Sequence, residues 1–211
     1  MIEYHKIETI FERDMDGSKK LIPGKFRNKT VEFLKDNTWV FTEKIDGTNI
    51  RIHWDGHKVE FGGRTERAQI PAPLVNALNM MFGGTDNEEI FEQKFGENDV
   101  ILFGEGYGAG IQSGGNYRKD VSFILFDVLV GNIFLERENV EDIARTFGID
   151  VVPIVGEGTL DDGVAFIMTR PKSTIGSAYM EGIVARPKVK MRDRMGRRVI
   201  VKIKVRDHVK E

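Results

Sequence analysis

The 211-residue chain contains no cysteine. That absence excludes disulfides, thiolate zinc sites, iron–sulfur clusters and cysteine nucleophiles together. No apolar run approaches the roughly 20 residues of a membrane span. The start, MIEYHKIETIFERD, lacks the apolar stretch of a signal peptide. A cytosolic location is therefore expected. The chain has no fixed-period repeat, no low-complexity tract and no Walker A loop. Histidine is scarce, and His53 and His57 flank a turn without a third partner, which reads as strand ends and not as a metal site. Gly104-x-Gly106-x-x-Ala109 formally matches a dinucleotide fingerprint. The following GIQSGGNYRKD is a poor helix, and the fingerprint needs one. Net charge is also small, at −2, and taken whole it suggests no polyanion partner.

What is present is unevenly placed. Hydrophobic residues make up 40% and charged residues 30%, an ordinary globular composition for one domain or two small ones. Between Arg186 and Lys210 eleven basic residues face only Asp193 and Asp207, so this block carries +9 and the rest carries −11. Its cations alternate with Val, Ile and Met, so it reads as a strand with a basic face more than as a solvated tail. VIVKIKV (199–205) places Lys202 and Lys204 on one face.

The other periodicities predict strands over 39–45, 49–54, 57–62, 100–105, 121–130 and 181–187. Helices are predicted over 28–36, 71–82, 86–95, 136–147 and 160–169. Asp55-Gly56 and Gly131-Asn132 read as hairpin turns. MRDRMGRR (191–198) reads as a hairpin loop. Strands joined by tight turns argue for antiparallel sheets in an α+β fold.

One lysine stands out. Lys44, in EKIDGTN (43–49), ends an apolar strand and is followed by Asp46-Gly47. Alone, that is common turn chemistry. FGE (103–105), FILFD (123–127), EGIVAR (181–186) and KIK (202–204) follow it in a fixed order. Together, in this order, these strings resemble the covalent nucleotidyltransferases: ATP-dependent DNA and RNA ligases and mRNA capping enzymes. The match is closest to the RNA ligase 2-like family. Arg64, twenty residues after Lys44, has the spacing of that family's nucleotide-contacting arginine.

The resemblance implies a single nucleotidyltransferase (ATP-grasp-like) domain on antiparallel sheets with flanking helices. Residues 1–24 would be an N-terminal segment and 25–205 the catalytic core. It implies an ATP-dependent RNA ligase in which the Lys44 amine attacks the α-phosphate of ATP. Lys202 and Lys204 would hold phosphate oxygens and raise the local positive potential. Glu43, Ile45, Asn49, Arg64 and Glu105 would contact the nucleotide, with Glu43 acting largely through its backbone. Phe123 would stack on adenine, since Phe123 and Phe126 point to opposite faces and one of them fills core. Asp46, Glu105 and Glu181 would serve a divalent cation, Mg²⁺ or Mn²⁺. Asp46 stands where the RNA ligase 2-like family often has histidine, which leans toward DNA ligases.

The expected partners are RNA ends bearing a 5′-phosphate and a 3′-hydroxyl, including those at duplex nicks. Arg51, Arg118, Arg186, Lys188, Arg192, Arg194, Arg197 and Arg198 are the candidate nucleic-acid contacts. Only seven residues follow Lys204, so neither an OB-fold nor another C-terminal domain is expected, and a separate protein supplying one is the partner this implies. A minimal DNA-nick ligase and a noncatalytic RNA-end-binding module are the alternatives.

Overall fold

The computed structural model describes residues 1–209. Lys210, the last cation of the basic block, lies outside the described residues. In chain order the strands and helices are β1 (Glu8–Thr9), β2 (Phe11–Arg13), β3 (Leu21–Phe26), α1 (Lys29–Phe33), β4 (Trp39–Lys44), β5 (Thr48–Trp54), β6 (Val59–Gly62), α2 (Ala72–Phe82), α3 (Thr85–Phe95), β7 (Val100–Tyr107), β8 (Ser122–Val130), β9 (Ile133–Phe134) and α4 (Arg137–Phe147). Then come β10 (Asp150–Val151), β11 (Ile154–Gly158), α5 (Leu160–Met168), β12 (Gly182–Pro187), β13 (Val201–Lys204) and α6 (Val205–His208). The class is α+β, and the sheets are antiparallel except where β1 meets β13 and β10 meets β8. No helix among the described residues is long and apolar enough to cross a membrane.

The elements sort into two compact units. Unit I comprises Met1–His5 and Asp46–Val152. Its sheet runs β10-β8-β7-β5-β6, with β9 on β8. Asp55-Gly56 makes the expected β5–β6 turn: Gly56 has φ +97°, and Asp55 Oδ1 accepts the N–H groups of His57 and Lys58, both at 2.9 Å. Helix α4 stops at Gly148, which adopts φ +63°. One sheet face and helices α2–α4 bury Ile50, Ile52, Trp54, Leu102, Phe123 and Leu125 in a common core.

Unit II comprises Lys6–Ile45 and Pro153–Glu211, of which residues to 209 are described. Its sheet runs β1-β13-β12-β4-β11, with β2 and β3 as a separate hairpin. A capping box starts α5, where Thr159 and Asp162 satisfy each other's backbone N–H groups. Trp39, Phe41, Ile183, Val201 and Ile203 form the centre of its core. The predicted strand 199–205 is shorter than expected, because Val205 already begins α6. Its alternation is as expected: Val201 and Ile203 are buried and Lys202 and Lys204 half-buried.

Candidate active site

Strand β4 is flanked by β12 and β11, and β12 in turn by β13. In register, Gly182 of β12 faces Lys44 on one side and Lys204 on the other. The three strands therefore set two lysines across a residue with no side chain. A Cβ on Gly182 would collide with the Ile203 carbonyl oxygen and sit 2.8 Å from Lys204 Cα. Glu181, just before that glycine, reaches both lysines. Its Oε2 accepts from Lys44 Nζ at 2.5 Å, and its Oε1 accepts from Lys204 Nζ. Lys44 Nζ also lies 3.5 Å from the carbonyl oxygen of Ile45, a buried residue. Burial alone would raise the Glu181 pKa. The charge of Lys44 and hydrogen bonds from Lys204 and Lys44 outweigh it and hold the carboxyl below its ordinary value.

Lys202 and Lys204 also line a cavity of about 670 Å³ with Lys6, Arg13, Arg27 and Arg206. Six cations thus face Glu8 and Asp207, the acidic residues of that wall. Arg13 pairs with Asp207 at 2.7 Å and Arg27 with Glu8 at 2.9 Å. Lys6 and Arg206 have no ion-pair partner among the described residues. Such a wall suits a polyphosphate.

The Glu43 side chain is engaged within unit II. It is 1% exposed. Its carboxylate accepts from Ser173 Oγ at 2.5 Å, Thr174 N at 2.9 Å and Thr174 Oγ1 at 2.6 Å. Its own N–H donates to Pro153 O at 2.9 Å. Both side chain and backbone N–H are used within unit II, so Glu43 braces the strand from behind.

In unit I, Asn49 of β5 and Glu105 of β7 are register partners and share a face, both half-buried. The buried Oδ1 of Asn49 has no hydrogen-bond partner, an acceptor position suited to a ligand hydroxyl. Gly47 permits close approach here: a Cβ would collide with the Gly106 carbonyl oxygen and lie 2.9 Å from Glu105 Cγ. Asp46 is half-buried, and its N–H donates to the Tyr117 hydroxyl at 3.3 Å. Arg64 is exposed on the loop after β6.

Four expectations need correction. Phe123 is 1% exposed, with its ring edge-on to Phe82 at 5.6 Å in the unit I core, so it offers no face to a base. Phe126, on the opposite face, packs against Tyr4 at 5.1 Å. Arg51 is also 1% exposed. Its guanidinium donates to Gly63 O at 2.7 Å, Met1 O at 2.9 Å and Glu66 Oε1 at 3.0 Å, so it ties the N-terminus to the sheet and does not meet nucleic acid. Arg118 is forked onto Asp120 at 2.9 and 2.5 Å, which together with Tyr107 raises its pKa further and withholds the guanidinium from phosphate. Glu181 has both oxygens on lysines, and no cluster of three metal-binding side chains occurs among the described residues.

The basic hairpin forms as expected. Arg192 and Arg198 bridge it, and Gly196 turns at φ +77°. Arg192, Arg194 and Arg197 are exposed and Arg198 half-buried. Arg197 pairs with Asp193 at 2.8 Å, and Lys188 pairs with Glu157 at 2.6 Å. Arg186 lies half-buried on β12.

Lys44, Glu181 and Lys204 all fall within the span that a family model matches. The family model of RNA ligases covers residues 37–204, from before β4 to the end of β13. The chain belongs to the RNA ligase family. The fold likeness agrees. An apo mutant of Naegleria gruberi RNA ligase superposes with TM-score 0.66 at 19% identity, over 96% of this chain and 56% of that one. A mutant of the same ligase with AMP and Mn gives the same values. Its structure with PPi gives TM-score 0.66 at 20% identity, again over 96% and 56%. This RNA ligase family chain thus spans about half the length of those structures.

The residues that the sequence did not flag are Ser173, Thr174, Lys6, Arg13 and Arg27. Nothing in PKSTIGS marks a brace for Glu43. The basic residues of the N-terminal segment gain meaning only once β1 pairs with β13.

Proposed function

We propose that this RNA ligase family member is an ATP-dependent RNA ligase that works through a lysyl-AMP on Lys44. The observation that carries the reading is the Lys44–Glu181–Lys204 row, in which two lysines share one carboxylate across adjoining strands; it supports Lys44 as the nucleophile and Lys204 as a phosphate contact. In the first step the Lys44 nitrogen, once deprotonated, bonds to the α-phosphorus of ATP. The bond from that phosphorus to the bridging oxygen breaks, and pyrophosphate departs with the electron pair. Lys202 and Lys204 stabilise charge on the phosphate oxygens as it builds. The six-cation wall takes the polyphosphate. Within unit I, Asn49 and Glu105 carry acceptors suited to a ligand's hydroxyls, and Arg64 is a cation suited to phosphate. AMP then passes to a 5′-phosphate end, and attack by a 3′-hydroxyl forms the phosphodiester and releases AMP.

The Naegleria ligase has been captured with ATP and Mn, and with PPi, which fits this use of ATP and a divalent cation. Asp46 and Glu105 are the unit I carboxylates that would serve Mg²⁺ or Mn²⁺, whose chemistry would be to neutralise phosphate charge. The basic hairpin, through Arg192, Arg194, Arg197 and Arg198 with Arg186 and Lys188, would follow the strand's backbone.

The test is a denaturing gel of the protein incubated with α-labelled ATP and a divalent metal. Label retained by the wild type and absent from Lys44→Ala supports the covalent step. Absence of label from both overturns it. Asp46 favours a second reading, a DNA-nick ligase, and side-by-side sealing of nicked RNA and DNA duplexes separates the two.

A further inference from the structure

Helix α1 turns Val31 into the unit II core and is followed by buried Leu34. Phe33 lies on the other side and is 84% exposed. A lone exposed apolar residue is ordinary. This one borders a cavity of about 360 Å³ lined by Lys29, Thr30, Phe33, Leu34, Met191, Arg192 and Val199. That volume is at the small end of ligand-sized sites, which run from about 300 Å³ upward. Lys29 and Arg194 have no ion-pair partner among the described residues. Arg192 gives one nitrogen to Gly196 O at 2.8 Å and stays exposed. The acids nearby in sequence are Glu32, Asp36, which is engaged by Lys35 at 2.7 Å, and Asp193, which is engaged by Arg197.

An aromatic face beside a slot edged with cations suits one chemistry. A nucleobase stacks on the ring while its phosphates meet the cations. Such platforms accept any unpaired base, since each has a π-face. We infer that Phe33 is a stacking platform for an unpaired nucleobase of the RNA substrate, with Lys29 and Arg192 holding the adjoining phosphates. This rests on the RNA ligase reading and adds where the strand lies. The charge on the edge favours a nucleic acid over an apolar protein segment.

The test is fluorescence anisotropy of the full chain with a labelled, 5′-phosphorylated single-stranded RNA at low salt. Phe33→Ala binds roughly 5- to 150-fold more weakly, the range expected for loss of one stacked base. Phe33→Trp restores binding. Its introduced indole is quenched by RNA, while Trp39 and Trp54 are buried. Lys29→Ala lowers the log–log salt slope by about 0.7, one phosphate contact on a single strand. Affinity of Phe33→Ala within twofold of wild type overturns the platform and leaves the slot to a protein partner. Equal weakening by Phe33→Ala and Phe33→Trp overturns it too. Covalent labelling by ATP is measured in parallel and stays at the wild-type level in Phe33→Ala. Loss of labelling in the wild type would instead strike the ligase reading, leaving the binding result to stand by itself.

Discussion

Lys44 Nζ sits 2.5 Å from Glu181 Oε2. The proposed nucleophile is therefore held by a carboxylate, and Lys204 shares that carboxylate through its other oxygen. Two ammonium groups at one acid would repel each other without it. On the proposed mechanism the acid is both a counter-ion and a brake, which must release the amine before attack.

The stability contribution of Glu181 should depend on pH with a definite sign. Its folded carboxyl lies below the ordinary value of 4.5. A depressed carboxyl stabilises the fold above its unfolded pKa, and that contribution is lost as pH falls through the folded value. Urea unfolding at pH 7 should find Glu181→Gln less stable by about 1–3 kcal/mol, discounted for partial exposure. Below pH 4.5 the gap should close. A gap independent of pH would show that packing, not charge, is what Glu181 supplies.

Gly182 separates the two lysines, and any side chain there meets the β13 backbone. Gly182→Ala should destabilise by about 1–3 kcal/mol, as overpacking does. It should also reduce covalent labelling by more than its unfolded fraction explains, because the lysine row is spread. Labelling at 10 °C, where the variant stays folded by circular dichroism, makes the distinction.

Arg51 fans three hydrogen bonds from a buried guanidinium. A lysine ammonium cannot reproduce that fork. Arg51→Lys should cost about 2–4 kcal/mol, since buried acceptors lose their donors. RNA affinity and its salt slope, measured by anisotropy on folded protein, should not change. A fall in the salt slope would return Arg51 to the nucleic-acid surface.

The reach of the sequence follows from which signals are local. Helices α2 to α5 each start and end within a residue or two of their expected bounds, because Pro71, Thr159 and Gly148 are local caps. Lys44, Glu181 and Lys204 were legible as motif residues, although their shared register depends on strand pairing. Parity correctly put Phe123 and Phe126 on opposite faces. It does not say which face α2 covers, so in the sequence the core phenylalanine reads as the base-stacking one. Arg51 misled for the same reason: NIRIHW alternates properly, and only the folded N-terminus reveals what the cation binds. The short strands β1 and β10 carry no periodicity, and each acquires its place by pairing with a distant strand. The two units have no linker between them in sequence, since each is assembled from two separated segments.

Lys204 has two candidate duties, and a double-mutant cycle separates them. As a partner of Glu181 it weakens that carboxylate's hold on Lys44. As a phosphate contact it stabilises charge on the attacked group. Lys204→Ala removes both, so single-turnover labelling should slow by about 10²–10³-fold. Glu181→Gln on top of Lys204→Ala relieves the tightened grip on Lys44. If the first duty dominated, the double variant would regain most of the rate. We expect it to remain within about tenfold of Lys204→Ala. Lys204 lines the six-cation wall beside Lys202, and on the proposed mechanism no change at Glu181 replaces its charge in the transition state.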